Sequence, residues 1–156
     1  MSVSQLRKCT WCGTKKPVKE FDQTKKNSTQ CNTCKLERRY EKINSNPINY
    51  MQNLCVQLKH VRKKQGINWD VTPQELYILY AKQEGKCALT GQELTFKRGT
   101  DEESDFNISI DRINSTDSYH IENIQLVGKI INFLKNDLPQ EKFIKLVKLI
   151  YNNTNS

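Results

Sequence analysis

Ser109-Ile110-Asp111-Arg112-Ile113-Asn114, then Tyr119, then Asn123-Ile124-Gln125-Leu126-Val127, then Asn132 and Lys135, form the stretch on which the fold turns. Apolar Phe106, Ile108 and Ile110 alternate with polar Asn107, Ser109 and Asp111, the period of a strand with one apolar face. Residues 112–120 are polar and loop-like, and the run from Asn123 to Val127 alternates again as a second strand. Gly128 breaks it, and Lys129 to Asn136 reads as a helix. Such a strand–loop–strand–helix unit brings Asp111, at the end of the first strand, and Asn132, on the helix, towards a common point. A carboxylate and an amide oxygen there are hard donors suited to Mg²⁺ or Mn²⁺. Alone, an Asp at a strand end is usually a turn former and a helical Asn is usually solvated. The order and spacing of Asp111, Asn123 and Asn132 together argue for a metal site.

Upstream of this unit the chain reads as helices. Asn46 and Pro47 mark a start, because Asn caps and Pro suits the first turn. Met51, Leu54, Cys55, Leu58 and Val61 follow at helical spacing, and the region from Leu36 to Gln65 holds one or two helices. Lys59, Arg62, Lys63 and Lys64 crowd the last turn, where cations favour the helix dipole, and Gly66 supplies a left-handed cap. Thr72-Pro73-Gln74-Glu75 is a capping box opening a short helix with Leu76, Leu79 and Tyr80 on its apolar stripe and Gly85 at its end. Residues 101–105 form a solvated acidic loop. A last helix begins near Pro139, with Phe143, Leu146, Val147 and Ile150 expected on its buried side.

The N-terminal segment carries Cys9-x-x-Cys12 and Cys31-x-x-Cys34, a zinc signature. A two-residue gap lets both thiolates of a pair turn onto one ion, and a hairpin brings round the second pair. Four protein ligands leave no open position, so this zinc is structural rather than catalytic. Lys15, Lys16, Lys19, Lys25, Lys26, Lys35, Arg38 and Arg39 surround the cysteines and suit contacts to DNA phosphates; the plainer alternative is a stabilising knob or protein-contact module. Cys55 and Cys87 are single and read as buried packing.

Composition sets the frame. At 156 residues, 36% hydrophobic and 27% charged, the chain suits one domain with a small appendage and a modest core. Net charge is +8, but residues 1–66 carry 15 basic against 4 acidic side chains, while residues 67–156 carry 10 against 13. A basic front half on a slightly acidic back half is the pattern of a polyanion-binding arm. No apolar run approaches membrane length, and Met1 to Lys8 lacks the apolar core of a signal peptide. The expected location is therefore a reducing cytoplasm, of a bacterial or phage-infected cell, where cysteines are metal ligands or free thiols.

The residues from Ser109 to Lys135, with Lys86-Cys87-Ala88-Leu89-Thr90-Gly91 upstream, resemble the core of phage-type HNH (ββα-metal) endonucleases, a group in which an N-terminal cysteine-pair module is also familiar. The resemblance covers most of residues 72–138 and, more loosely, 9–34. It implies a metal-dependent hydrolase of phosphodiester bonds in double-stranded DNA. Asp111 and Asn132 would be the metal ligands, Asn123 would orient the general base and Lys135 would contact phosphate. One position departs from the pattern: Arg112 stands where the family has its water-activating His. An Arg cannot take a proton near neutral pH but can clamp phosphate. His120 is then the first candidate base and Tyr119 the second.

The expected architecture is α+β: a zinc-binding module over residues 1–40, a DNA-contacting helical linker over 41–85 and an HNH nuclease core over 86–156. Two rival readings are a decayed, non-catalytic DNA-binding protein marked by Arg112, and a zinc-based protein-interaction module. An RNA substrate is weaker still, for want of a recognisable stacking platform. Target site and oligomeric state are not encoded in any legible motif.

Overall fold

A computed structural model describes residues 5–25, 27–98 and 105–155; Lys26 and positions 101–104 of the acidic run lie outside the described residues. The chain begins with a hairpin, Leu6–Lys8 (β1) against Lys15–Pro17 (β2), and a 3-10 turn at Val18–Glu20. Two helices follow, Asn32–Asn44 (α1) and Pro47–Lys64 (α2), then a two-residue strand Trp69–Asp70 (β3) and a helix Pro73–Lys82 (α3). The last part holds Ile108–Arg112 (β4), Tyr119–His120 (β5), Ile124–Gly128 (β6), Lys129–Lys135 (α4) and Gln140–Thr154 (α5). The fold class is α+β.

Local chemistry sets the helix boundaries. The Asn49 N–H donates to Asn46 Oδ1 at 2.9 Å, and Pro47 occupies the first turn of α2. At α3 the Glu75 N–H donates to Thr72 Oγ1 (3.2 Å) and the Thr72 N–H to Glu75 Oε2 (2.8 Å), the reciprocal capping box. Gly66, at φ +71°, turns the chain sharply after α2, with the Ile67 N–H bonded to the Arg62 carbonyl at 3.0 Å. That turn aims β3 back along the molecule, where it pairs in parallel with β5, Trp69 opposite Tyr119.

The strand–strand–helix unit forms, with a difference in its faces. β4 and β6 pair antiparallel, Asp111 opposite Gln125. Ile108 and Ile110 are buried as the alternation predicts, but Asn107 and Asp111 on the other side of the strand are buried too. β6 is buried at every position instead of alternating. The cause is α4, which folds back over the face expected to be solvated. Gly128 ends β6 and caps α4; a Cβ there would come within 2.8 Å of the Phe106 ring, so close approach of backbone requires glycine. The outer edge of β6 is satisfied without a third strand. Gln83 Nε2 donates to the Leu126 carbonyl (2.8 Å), Gln83 Oε1 accepts from the Leu126 N–H (3.0 Å), and the Ala88 N–H adds a bond.

One apolar cluster takes Ile43, Met51, Cys55 and Leu76 from the helices and Ile110, Leu126 and Val127 from the strands. Residues 41–85 and 86–127 therefore share a core. Two expectations for the helix faces are corrected. Val61 is 45% exposed, because the last turn of α2 points Arg62 inward instead. Phe143, Leu146, Val147 and Ile150 are not buried: α5 has no buried residue. Its apolar stripe exists, but among the described residues no other element lies closely against it. Two apolar helix positions should thus differ sharply on truncation. Leu76→Ala, at 0% exposure, should lower unfolding free energy by roughly 2–5 kcal/mol in urea titration, whereas Ile150→Ala, at 64%, should change it by less than about 0.5 kcal/mol.

Candidate functional site

The β4–β5 loop, the end of α2 and α4 enclose a polar cavity of about 300 Å³ lined by Arg62, Gln65, Asp111, Arg112, Ser115, Tyr119, Asn132, Asn136 and Asp137. The pairing of β3 with β5 builds one wall. It stacks Trp69 on Tyr119 at 4.9 Å between ring centroids and leaves Tyr119 in contact with two guanidinium groups, Arg112 at 5.0 Å and Arg62 at 5.4 Å from its ring centre. Asn136, in the cavity rim, has φ +48° and ψ −127°, a conformation natural to glycine and costly for a side chain by roughly 1–3 kcal/mol.

Asp111 and Asn132 meet at this cavity. Asp111 is 3% exposed, and both carboxylate oxygens accept hydrogen bonds: Oδ1 from Lys135 Nζ (2.9 Å) and Oδ2 from Gln125 Nε2 (2.8 Å). Asn132 Nδ2 donates to Ser109 Oγ (2.7 Å) and to the Ile110 carbonyl (3.2 Å). Both amide hydrogens are thereby tied to β4, and Asn132 Oδ1 is left as an acceptor with no protein donor among the described residues. A carboxylate with spare lone pairs and an orphan amide oxygen make a donor set that suits a hard divalent cation.

Lys135, expected to contact phosphate, does not reach the cavity. It is fully buried, and Nζ donates to Asp111 and to the Arg112 carbonyl at 2.7 Å. Its position on α4 aims it under β4, so it holds Asp111 in place. Asn123 is also buried. Its Oδ1 accepts from the Asn114 N–H (2.9 Å) and its Nδ2 donates to the carbonyls of Asn114 (3.1 Å) and Ser118 (2.9 Å). It braces the loop that carries Arg112 to Tyr119, and among the described residues no hydrogen bond joins its side chain to the His120 imidazole.

His120 lies outside the cavity lining. Nδ1 sits 2.9 Å from Glu122 Oε2 and Nε2 sits 3.1 Å from Asp117 Oδ2. Hydrogen bonds to Glu122 and then Asp117 hold the imidazole above its ordinary 6.5, favouring the cation, which has no lone pair to accept a proton. Arg112 is steered from the same loop: Nη1 donates to the Asp117 carbonyl at 2.7 Å, and Nη2 is 3.8 Å from the Asp137 carboxylate.

Four residues of the cavity were not singled out as site residues by the sequence: Gln65, Ser115, Asn136 and Asp137. Arg62, also in the lining, is legible only as a dipole partner at the end of a basic helix. Its distance along the chain from Asp111 hides the contact that β3–β5 pairing creates.

The four paired cysteines converge separately. Their sulfurs all lie within 4.8 Å of one another, placed to hold a zinc ion. The N–H groups of Cys31 and Trp11 each point at Cys9 Sγ from 3.4 Å, and donation led by Cys31 lowers the Cys9 thiol to about 6. Burial, aggravated by the other sulfurs, pushes Cys34 up to about 12. Cys55 and Cys87 are buried away from this cluster.

Among solved structures, that of the rare-cutting HNH restriction endonuclease PacI is similar to this chain, with 18% identity, a TM-score of 0.46 and 92% of each chain covered. No family model matches the sequence, and no curated protein does. Among the described residues, no helix is long and apolar enough to cross a membrane.

Two outcomes follow from this geometry. The NMR titration midpoint of His120 should lie above that of a free histidine and fall back in the Asp117→Asn/Glu122→Gln double variant. A raised folded-state value also means that the pairing stabilises fully below the unfolded value of about 6.5 and is lost as pH rises through the folded one. For the cysteines, metal analysis of purified protein should find zinc. Its removal by chelator should collapse the amide dispersion of residues 5–34 while that of the β4–β6 region persists, since such a site supplies on the order of 10 kcal/mol of apparent folding free energy.

Proposed function

We propose that this chain is a divalent-metal-dependent endonuclease that hydrolyses phosphodiester bonds in double-stranded DNA. The observation that carries the reading is the convergence of buried Asp111 and the orphan Asn132 Oδ1 on a polar cavity that also presents guanidinium groups. Asp111 and Asn132 would hold Mg²⁺ or Mn²⁺, and the spare coordination positions suit water and substrate phosphate. A cation bound there supplies polarisation of a phosphate oxygen and charge stabilisation at the leaving oxygen.

The chain's own groups do the rest. Lys135 and Gln125 fix the Asp111 carboxylate from behind, so its remaining lone pairs face the cavity. Arg112 is anchored through the Asp117 carbonyl and Tyr119, leaving guanidinium donors for a non-bridging phosphate oxygen. With His120 outside the cavity and held by two carboxylates, Tyr119, which lines the cavity, is one neighbouring group whose oxygen would accept a hydrogen bond from the attacking water. The zinc arm and the basic residues of the first 66 positions would bind phosphates along the duplex, so affinity falls steeply with salt.

A second reading has one observation in its favour. The Lys135 ammonium already compensates the Asp111 charge, as a DNA-binding protein without catalysis could retain it. Cleavage of supercoiled plasmid by the zinc-loaded protein separates the two. Mg²⁺ or Mn²⁺ should support nicking or linearisation and EDTA should abolish it. Asn132→Ala and Asp111→Asn should each lower the rate by roughly 100-fold or more while DNA binding persists, and Asp111→Asn, which leaves buried Lys135 without its counter-charge, should also melt at a lower temperature. Metal-independent cleavage, or full activity in both variants, would remove Asp111 and Asn132 from the reaction. Salt-insensitive binding would point to the protein-interaction alternative.

A further inference from the structure

The cavity holds a second guanidinium that comes from a different part of the chain. Arg62, in the last turn of α2, lines it together with Asp111, Arg112 and Asn132. Its Nη1 donates to Gln65 Oε1 at 2.8 Å, which orients the fork, and its guanidinium carbon lies 5.4 Å from the Tyr119 ring centre. Its Nε is buried with no hydrogen-bond partner, and among the described residues no carboxylate pairs with it.

Charge sharpens the point. The cavity's two acids are already engaged: Asp111 with buried Lys135, and Asp137, whose side chain is 83% exposed, loosely with Arg112. Two guanidinium groups held against one tyrosine ring repel each other, and an arrangement of that kind is stable where an anion completes it. Guanidinium forks match the geometry of phosphate oxygens, and an Arg is needed for that match where a Lys offers only a point charge.

We propose that Arg62 binds the scissile phosphate, gripping it jointly with Arg112 in the cavity that Asp111 and Asn132 also line. The proposal rests on the reading of this cavity as the cleavage site. It gives α2 a direct part in the reaction, beyond that of a basic linker.

Two measurements on the full-length, zinc-loaded protein test it. The first is binding of a short fluorescent duplex in EDTA across a salt series; the second is plasmid cleavage in Mg²⁺ or Mn²⁺ at saturating DNA. Arg62→Ala should reduce the slope of log affinity against log salt by about one and lower the saturated rate by roughly 10- to 100-fold. Arg62→Lys, which keeps the stem and the charge, should restore the slope but not the rate. Lys148→Ala, an exposed lysine on α5 outside the cavity lining, should leave the saturated rate unchanged. An unchanged slope in Arg62→Ala while the wild type cleaves would overturn the Arg62 proposal and leave the nuclease reading standing. An unchanged saturated rate, or full recovery of that rate by Arg62→Lys, would overturn the grip on the scissile phosphate. If the wild type binds but does not cleave, a reduced slope keeps Arg62 as a phosphate ligand and sinks the nuclease reading.

Discussion

The Lys135 ammonium reaches the Asp111 carboxylate and the Arg112 carbonyl from a fully buried position, and much of the cavity end of the molecule hangs on those contacts. Burying two opposite charges is costly, and their attraction offsets the cost only with good geometry and further hydrogen bonds. Gln125 supplies such a bond to the second Asp111 oxygen, and its other contact reaches Gln140 at the start of α5. A single network therefore links β4, β6, α4 and α5. Because α4 is only two turns long, it could not hold its own register; the ion pair and the Asn132 bonds to β4 do so. Breaking either partner would leave a buried charge uncompensated, which makes the network a strong constraint on register.

The second constraint is the short parallel pairing of β3 with β5. Two residues on each side contribute few backbone bonds, yet they bring the Trp69–Tyr119 stack and the Arg62 and Arg112 contacts into one layer. The Gly66 turn makes this possible by reversing the chain directly after a basic helix end. The lining also includes Asn136 in a glycine-like conformation, so the cavity is built partly from strained backbone held by its surroundings.

The N-terminal arm follows different physics. Its buried cluster consists of Cys9, Cys31, Cys34 and Phe21, too small a core to fold so polar a segment by burial alone. Gly13 at φ +72° and the N–H groups aimed at Cys9 shape a pocket of sulfur in which thiol burial and thiolate stabilisation pull neighbouring cysteines in opposite directions. A cation held at the centre would relieve that conflict. The exposed basic residues around it then present their charge from a rigid base, with Arg38 stacked 4.5 Å from the exposed Trp11 ring.

The sequence by itself determined what depends on neighbours along the chain. The Asn46 and Thr72 caps, the Gly66 turn, the two cysteine pairs and the strand–strand–helix order around Asp111 and Asn132 are all local in origin. Tertiary structure alone decided which faces were covered. Alternation in residues 106–111 announces one apolar face, but only the docking of α4 buries the polar one, and with it Lys135. The stripe on α5 is as amphipathic as a buried helix, yet among the described residues no other element closes over it. The same holds for the candidate base: His120 and Tyr119 are adjacent in sequence, but strand geometry sends adjacent side chains to opposite faces, so that Tyr119 enters the cavity and His120 meets Asp117 and Glu122. Arg62 was the least legible of all, because its contact depends on a pairing between two-residue strands far apart in sequence, and so short a strand carries too little periodicity to be read.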